Sequence, residues 1–203
     1  MQVGFWFDAS ACVGCMACVA ACKDVHNLPI GVSLRHVRHF ERGGWQRAGS
    51  LAVPKGISAH TISLSCNHCS NPACVAACPR QAMRKDAGTG VVWVDGDCCI
   101  GCGACAKACP YGAPQIASRM ESVSFEESST RARKYAVKCD ACQTLPEGPA
   151  CIAACTMRCL EFADIADLRA RHGSIAEGDE LPSATITDPN LVYHAARTHG
   201  FTE

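Results

Sequence analysis

The sequence has few of the residues from which most protein cores are built. Leu, Ile, Val and Phe together number 38 of 203 residues, which is a small share for a self-sufficient apolar core. No stretch approaches the roughly 20 apolar residues of a membrane span. Residues 1–8 lack the basic start, the long apolar run and the twin arginine of an export signal. We therefore expect no direct membrane span and no export signal of the protein's own.

The sequence also lacks an excess of charge and the common catalytic motifs. Lys and Arg together number 19, as do Asp and Glu, so no basic surface for nucleic acid or anionic lipid is predicted. There is no GxGxxG run, no P-loop and no nucleophile elbow. We therefore expect a protein that does not bind nucleic acid and is not catalytic on its own.

What the sequence does have is cysteine, 18 in all, of which 16 fall into four quartets. The third quartet has the bacterial-ferredoxin spacing, with intervals of two, two and three residues and a following proline. The first quartet has the same intervals, whereas the second contains one interval of four residues and the fourth one of eight. The quartets are Cys12, Cys15, Cys18, Cys22; Cys66, Cys69, Cys74, Cys78; Cys99, Cys102, Cys105, Cys109; and Cys139, Cys142, Cys151, Cys155.

This spacing is typical of iron–sulfur proteins because thiolates at every third residue of a tight turn can wrap a cubane core. Small residues between the ligands, such as Gly101 and Gly103, let backbone N–H groups approach the cluster sulfurs. The fourth cysteine of such a run ligates the other cluster of a pair. Sixteen thiolates around four 2+ cores would add about −8 to a neutral polypeptide.

The repeat of strand, cysteine turn and short helix predicts an α+β fold of tandem bacterial-ferredoxin-like type, with two nested two-cluster units, short strands and helices, and many loops. Only 20 residues separate Cys78 from Cys99, so we expect an inner half at residues 58–117. By elimination, and from the resemblance given below, residues 1–57 with 118–172 are expected to form the outer half. Residues 173–203 are expected to be an irregular tail that packs on the domain or on a partner.

Several segments carry more local expectations. Residues 33–40 are predicted to be a strand, followed by a polar loop around Gly43 and Gly44. Residues 118–133 have no periodic apolar face and are predicted to be a surface excursion. A short helix is expected from Asp164 to Arg171.

Other interpretations of the cysteines are a disulfide framework, a zinc-holding structural module and a free-standing polyferredoxin. Three cysteines in one turn cannot all reach disulfide geometry. Structural zinc sites join two CxxC pairs, which leaves one cysteine redundant in the first and third quartets. Of the two cysteines outside the quartets, Cys98 is less suitably spaced than Cys99 and Cys159 is expected to be a small buried apolar residue. His68 is expected to pack, or to hydrogen-bond toward a cluster.

Beyond the spacing of its cysteines, the sequence resembles the iron–sulfur subunit of dimethyl-sulfoxide-reductase-type molybdoenzymes. The matching runs are Gly4 to Asp8, Cys12 to Cys15, Ser65 to Cys69 with Pro72 to Cys74, Cys99 to Gln115, Lys138 to Asp140 and Asp167 to Gly173. The resemblance implies four [4Fe–4S] clusters and a role as an electron-transfer subunit. It implies ligand sets that we call cysteine groups 1 to 4. Group 1 is Cys12, Cys15, Cys18 and Cys155; group 2 is Cys139, Cys142, Cys151 and Cys22; group 3 is Cys66, Cys69, Cys74 and Cys109; group 4 is Cys99, Cys102, Cys105 and Cys78.

The same resemblance implies partners and a location. The partners are a molybdopterin-containing catalytic subunit and an integral membrane anchor subunit that handles quinol. The protein would then be peripheral to the cytoplasmic membrane, and periplasmic only if the catalytic subunit carried it across. Thr156 stands where the second and third quartets have proline, which is a departure from the pattern of the family.

Overall fold

The fold is given by a computed structural model that describes residues 1–122, 130–173 and 180–196. Its central sheet has three strands in the order β8-β1-β9. Strand β1 (Val3–Asp8) pairs antiparallel with β8 (Leu160–Asp164) and parallel with β9 (Leu191–His194). The two ends of the described fold therefore meet in one sheet.

The strand β9 corrects the prediction that residues 173–203 are irregular throughout. Leu191, Val192 and Tyr193 are buried in the sheet, and a 3-10 helix lies before them at Ala184–Ile186. Residues 180–196 pack on the domain through β9, while the rest of the predicted tail beyond Gly173 lies outside the described residues. A four-residue strand is too short to show a period in the sequence.

A second correction concerns residues 36–64, which form one long hairpin rather than a short strand followed by a polar loop. Strand β2 (His36–Ala48) pairs antiparallel with β3 (Leu51–Leu64), and the register shifts between Arg42 and Gly44. A β-bulge of this kind accommodates the glycines that suggested a loop. The distal part of the hairpin is exposed, so it lacks the apolar alternation from which strands are predicted.

Four short helices each begin shortly after a cysteine turn. They are α1 (Ala17–Val25), α2 (Ala73–Ala76), α3 (Ala104–Ala108) and α4 (Ala150–Ala153). The second residue of each helix is a cysteine, and α1 also carries Cys22. Helix α1 packs against α4, and α2 packs against α3.

The remaining elements connect and cover these turns. Strands β4 (Met83–Lys85) and β5 (Val92–Val94) form a small hairpin, as do β6 (Gln115–Ser122) and β7 (Thr130–Val137). The predicted excursion at 118–133 is therefore partly strand, and its centre lies outside the described residues. Helix α5 (Ile165–His172) has Asp164 as N-cap and Gly173 as C-cap, close to the predicted bounds.

Cysteine contributes a large part of the interior. Eleven of the 18 cysteines are buried, and they are mixed with aliphatic residues in the two largest apolar clusters. This mixture agrees with the sparse aliphatic content of the sequence. Within the described part of the protein, no helix is long and apolar enough to cross a membrane.

Candidate iron–sulfur centres

The four cysteine turns share a backbone feature that follows from their chemistry. The residue before the second cysteine has a positive φ in every turn, at Gly14 (68°), His68 (45°), Gly101 (66°) and Ala141 (60°). This conformation lets a short turn curl so that its side chains and N–H groups converge. One N–H already points at a sulfur, since Ala141 N–H donates to Cys139 Sγ at 3.4 Å.

The structure brings the members of groups 1 and 4 together around two cavities. One cavity is lined by Cys12, Cys15, Cys18 and Cys155. The other is lined by Cys78, Cys99, Cys102 and Cys105. In each, three cysteines of one quartet meet the last cysteine of another.

The members of groups 2 and 3 lie within electrostatic reach of one another. Burial, with the negative charges of Cys139, Cys151 and Cys142, raises the pKa of the Cys22 thiol to about 12. Burial likewise raises the pKa of Cys74 to about 12, and the other three sulfurs of its group, Cys66, Cys109 and Cys69, add to the rise against a lowering by Lys138. Thiolates this close together repel one another, and metal cations bound between them would relieve that repulsion.

Three basic side chains are buried among these sulfurs. Arg35, His68 and Lys138 are 2%, 0% and 5% exposed, and no Asp or Glu is buried among the residues whose burial the structure describes. A buried cation is stable only when it is paired. The anions that can pair with these buried cations are therefore the cysteine thiolates and any cluster that the thiolates bind.

Arg35 lies between groups 1 and 2. Its guanidinium donates to Ser63 Oγ at 3.2 Å and to Ser65 Oγ at 3.0 Å. Ser63 Oγ is in turn 3.4 Å from Cys18 Sγ. Burial lowers the pKa of Arg35, but the sulfurs of Cys151, Cys139 and Cys18 raise it above its ordinary value. Arg35 is therefore a permanent charge that acts on sulfurs of both groups.

His68 and Lys138 lie between groups 2 and 3. Val92 N–H donates to His68 Nδ1 at 3.0 Å, which places the ring proton on Nε2. Lys138 Nζ donates to the carbonyl oxygens of Val92 and Cys139. Burial raises the pKa of both Cys66 and Cys139, and the charge of Lys138 lowers both. The expectation that His68 hydrogen-bonds near a cluster agrees with this position.

The donors left over in this interior fit iron–sulfur clusters. The buried nitrogens Arg35 Nε, Asn67 Nδ2 and His68 Nε2 have no hydrogen-bond partner among the described residues. A buried N–H without an acceptor costs free energy. Cluster sulfides accept hydrogen bonds, so clusters held by groups 1, 2 and 3 would supply the missing acceptors.

Two residues that the sequence did not single out for this role also touch the sulfurs of group 1. Cys159 Sγ lies 3.5 Å from Cys155 Sγ and lines the same cavity. A hydrogen bond from Cys159 lowers the pKa of Cys12 to about 5, and the same bond raises the pKa of Cys159. Thr156 Oγ1 lies 3.9 Å from Cys15 Sγ. The only sequence signal for either residue was its place after the last cysteine.

Cys98 and His26 lie near the cysteine groups but are not members of them. Cys98 is half-buried, and its Sγ lies 3.9 Å from Arg84 Nη2. It does not line the cavity of group 4. His26 Nε2 lies 3.5 Å from both Cys142 Sγ and Asp140 Oδ1. These three residues lie close enough to hold a metal ion, but Cys142 is already a member of group 2.

Comparison with known proteins supports the same chemistry. A family model described as "4Fe-4S dicluster domain" matches residues 57–165, and one described as "4Fe-4S binding domain" matches residues 9–25. The sequence is 41% identical, over 94% of its length and 87% of the relative's, to the probable anaerobic dimethyl sulfoxide reductase subunit YnfG of Escherichia coli K12. The figures are the same for the B subunit of the anaerobic dimethyl sulfoxide reductase of that strain.

A more distant relative has a different name. "Protein NrfC" of Escherichia coli K12 is 35% identical over 82% of this sequence and 67% of its own length. The cysteine turns, the buried donors and these similarities agree on electron transfer through 4Fe-4S clusters. The protein belongs to the family of iron–sulfur subunits represented by the B subunit of anaerobic dimethyl sulfoxide reductase.

Proposed function

We propose that this protein relays single electrons through four [4Fe–4S] clusters between a quinol-linked membrane anchor subunit and a molybdopterin-containing catalytic subunit. Cysteine groups 1 to 4 would each hold one cluster, and the protein itself would catalyse no bond chemistry. The clusters supply reversible one-electron reduction. The residues around them hold them, shield them from water and set the local charge.

The observation that supports this proposal is that successive cysteine groups share side chains, which arranges the four groups in a row. Groups 1 and 2 share Arg35, and groups 2 and 3 share His68 and Lys138. Groups 3 and 4 share an apolar cluster that contains Cys74 and Cys99. These shared side chains support the order group 1, group 2, group 3, group 4.

The two ends of this row reach the surface, whereas its middle is enclosed. Cys15 of group 1 and Cys102 of group 4 are exposed, while all four cysteines of group 2 are buried. An exposed apolar side chain lines the cavity at each end, Val13 (65% exposed) at group 1 and Ile100 (58% exposed) at group 4. Exposed apolar side chains of this kind are suited to contact with a partner. Electrons would enter at one end and leave at the other.

The nested arrangement of two halves is part of the proposal. The packing of α1 against α4 supports an outer half formed by residues 1–57 and 118–172. The packing of α2 against α3 supports an inner half at residues 58–117. Each half would exchange its fourth cysteines between its two clusters, as ferredoxin-type runs do.

The partners are proposed from the names of the relatives. Those names describe a subunit of a dimethyl sulfoxide reductase, so a catalytic subunit is expected to accompany this one. A membrane anchor would make the present protein peripheral to the membrane. The exposed hairpin of β2 and β3, with Trp45 and Leu51 exposed, offers a surface for either partner.

The experiment is anaerobic isolation of the protein with the subunits that co-purify. We expect about 16 iron atoms and as many acid-labile sulfides per molecule, and a partner that contains molybdenum. A brown protein that purifies alone and stays soluble would instead indicate a polyferredoxin. A colourless protein that holds zinc would contradict electron transfer altogether.

A further inference from the structure

One position of the cysteine repeat differs between the two proposed halves. It lies four residues after the last cysteine of each quartet. The residues there are His26, Ala82, Ala113 and Cys159. The inner quartets have buried alanine at this position, whereas the outer quartets have side chains that can ligate iron.

The structure places this position against a cluster site. Ala82 lines the cavity of group 4 together with Cys78. Cys159 lines the cavity of group 1 together with Cys155. The side chain of Cys159 is 3% exposed, and its Sγ is 3.5 Å from Cys155 Sγ. The site of group 1 therefore contains five sulfurs where four are needed.

The backbone of Cys159 is held in place. Its carbonyl oxygen accepts a hydrogen bond from Asp8 N–H at 3.0 Å, and β8 begins at the next residue. The fifth sulfur is therefore fixed at the cavity by the central sheet, independently of Cys155.

We propose that Cys159 is a reserve ligand of cysteine group 1. In the intact protein it remains a thiol that donates to the sulfurs of the group. When Cys155 is lost, the S–H bond of Cys159 breaks, its proton passes to solvent and its thiolate sulfur forms the Fe–S bond that Cys155 made. One thiolate replaces another, so no electron is transferred and the charge of the site is unchanged. The inference rests on the proposed assignment of group 1.

The test compares full-length variants isolated anaerobically with their co-purifying subunits. Iron content and the integrated electron paramagnetic resonance signal of the reduced protein count the clusters. We expect Cys155→Ala to retain four clusters and Cys155→Ala/Cys159→Ala to hold one fewer. Cys78→Ala is the matched control, because the residue four positions further on is Ala82, and it is expected to lose a cluster.

Three results would overturn the inference. The first is an equal cluster count in Cys155→Ala, Cys155→Ala/Cys159→Ala and Cys78→Ala. The second is loss of a cluster from the single variant Cys159→Ala, since Cys159 would then be a primary ligand. The third is a wild-type protein without iron, which would also contradict the proposed function; the first two leave that function standing.

Discussion

Arg35 shows how a single residue can act on two cluster sites. It is a permanent positive charge with no buried carboxylate near it among the described residues, and it acts on sulfurs of groups 1 and 2 through Ser63 and directly. Its Cζ also lies 4.9 Å from the centre of the Phe5 ring. A nearby positive charge favours the reduced form of a cluster, because reduction adds an electron. Arg35 should therefore raise the reduction potentials at both sites.

We predict that Arg35→Gln lowers the potentials of the clusters in groups 1 and 2. The change in the reduction equilibrium should be at least about tenfold, which corresponds to ~59 mV for a one-electron couple. Redox titration followed by electron paramagnetic resonance measures it. Arg35→Lys keeps the charge and is the control, for which we expect a smaller shift. Equal shifts in the two variants, or a shift confined to groups 3 and 4, would contradict the role of charge.

At the scale of single residues, the sequence predicted the candidate cysteine ligands but not the side chains that surround them. The 16 quartet cysteines were recognisable because their spacing is local. Arg35 and Ser63 are 28 residues apart, and no spacing rule connects them. Cys159 was expected to be an apolar residue; it is buried, but its contact with Cys155 arises only in the folded protein.

At the scale of the element, the cysteine turns depend on a backbone conformation that most side chains resist. Gly101 is the strictest case. Its φ is 66°, and an added Cβ would overlap the carbonyl oxygen of Lys134 in β7. Gly112 has nearly the same φ, 64°, but an added Cβ would meet nothing within 4 Å. Comparing an alanine substitution at each glycine therefore separates the energetic cost of steric overlap from that of backbone strain.

We predict that Gly101→Ala destabilises the protein more than Gly112→Ala. Both variants incur backbone strain of about 1–2 kcal/mol, and only the first also displaces β7 from the turn. The temperature at which the iron–sulfur absorbance is lost on heating, measured anaerobically, compares them. If both variants lost their absorbance at the same temperature, the close approach of Lys134 would not matter.

The secondary-structure elements also show where local sequence patterns fail to predict the structure. Helix α5 was predicted closely, because an N-cap and a terminal glycine are local signals. The long hairpin of β2 and β3 was not, since its distal part pairs only with itself and both faces are exposed. Strand β9 was not predicted because it forms by pairing with the edge of β1, a contact between residues far apart in the sequence.

At the scale of the whole molecule, the interior depends on groups that the polypeptide does not itself supply. The buried sulfurs repel one another as thiolates, and the buried cations need anions. A protein with so few aliphatic residues has little else to hold it together.

We therefore predict that removal of iron unfolds the protein. Far-ultraviolet circular dichroism should show loss of the short helices after chelation under reducing conditions. Anaerobic reconstitution with iron and sulfide is the control and should restore the spectrum. A chelated sample that keeps its native spectrum would show that the apolar core is sufficient.

The exposed ends of the row lead to a prediction about partners. Val13→Glu should slow electron exchange with one partner, and Ile100→Glu should slow exchange with the other, by about tenfold each for a loss of roughly 1.4 kcal/mol of contact. Ile30→Glu is the matched control, since Ile30 is fully exposed and lines neither the cavity of group 1 nor that of group 4. In the proposed complex, stopped-flow reduction by quinol and oxidation through the catalytic subunit distinguish the two steps.

If Val13→Glu and Ile100→Glu slowed the same step, the row would not run from one partner to the other. If Ile30→Glu slowed either step as much, the effect would be one of general surface charge. Iron content, unchanged in all three variants, would show that the clusters themselves are intact.

The sequence by itself determined the chemistry of this protein, because ligand spacing within a turn is a local property that a fold cannot change. It also indicated that metal centres replace a conventional core, since composition limits how much apolar surface can be buried. Only the tertiary structure decided which sites are neighbours, which buried cations lie between them and which cysteines reach the surface. Those properties arise from contacts between residues far apart in the sequence, and such contacts leave no periodic trace in it.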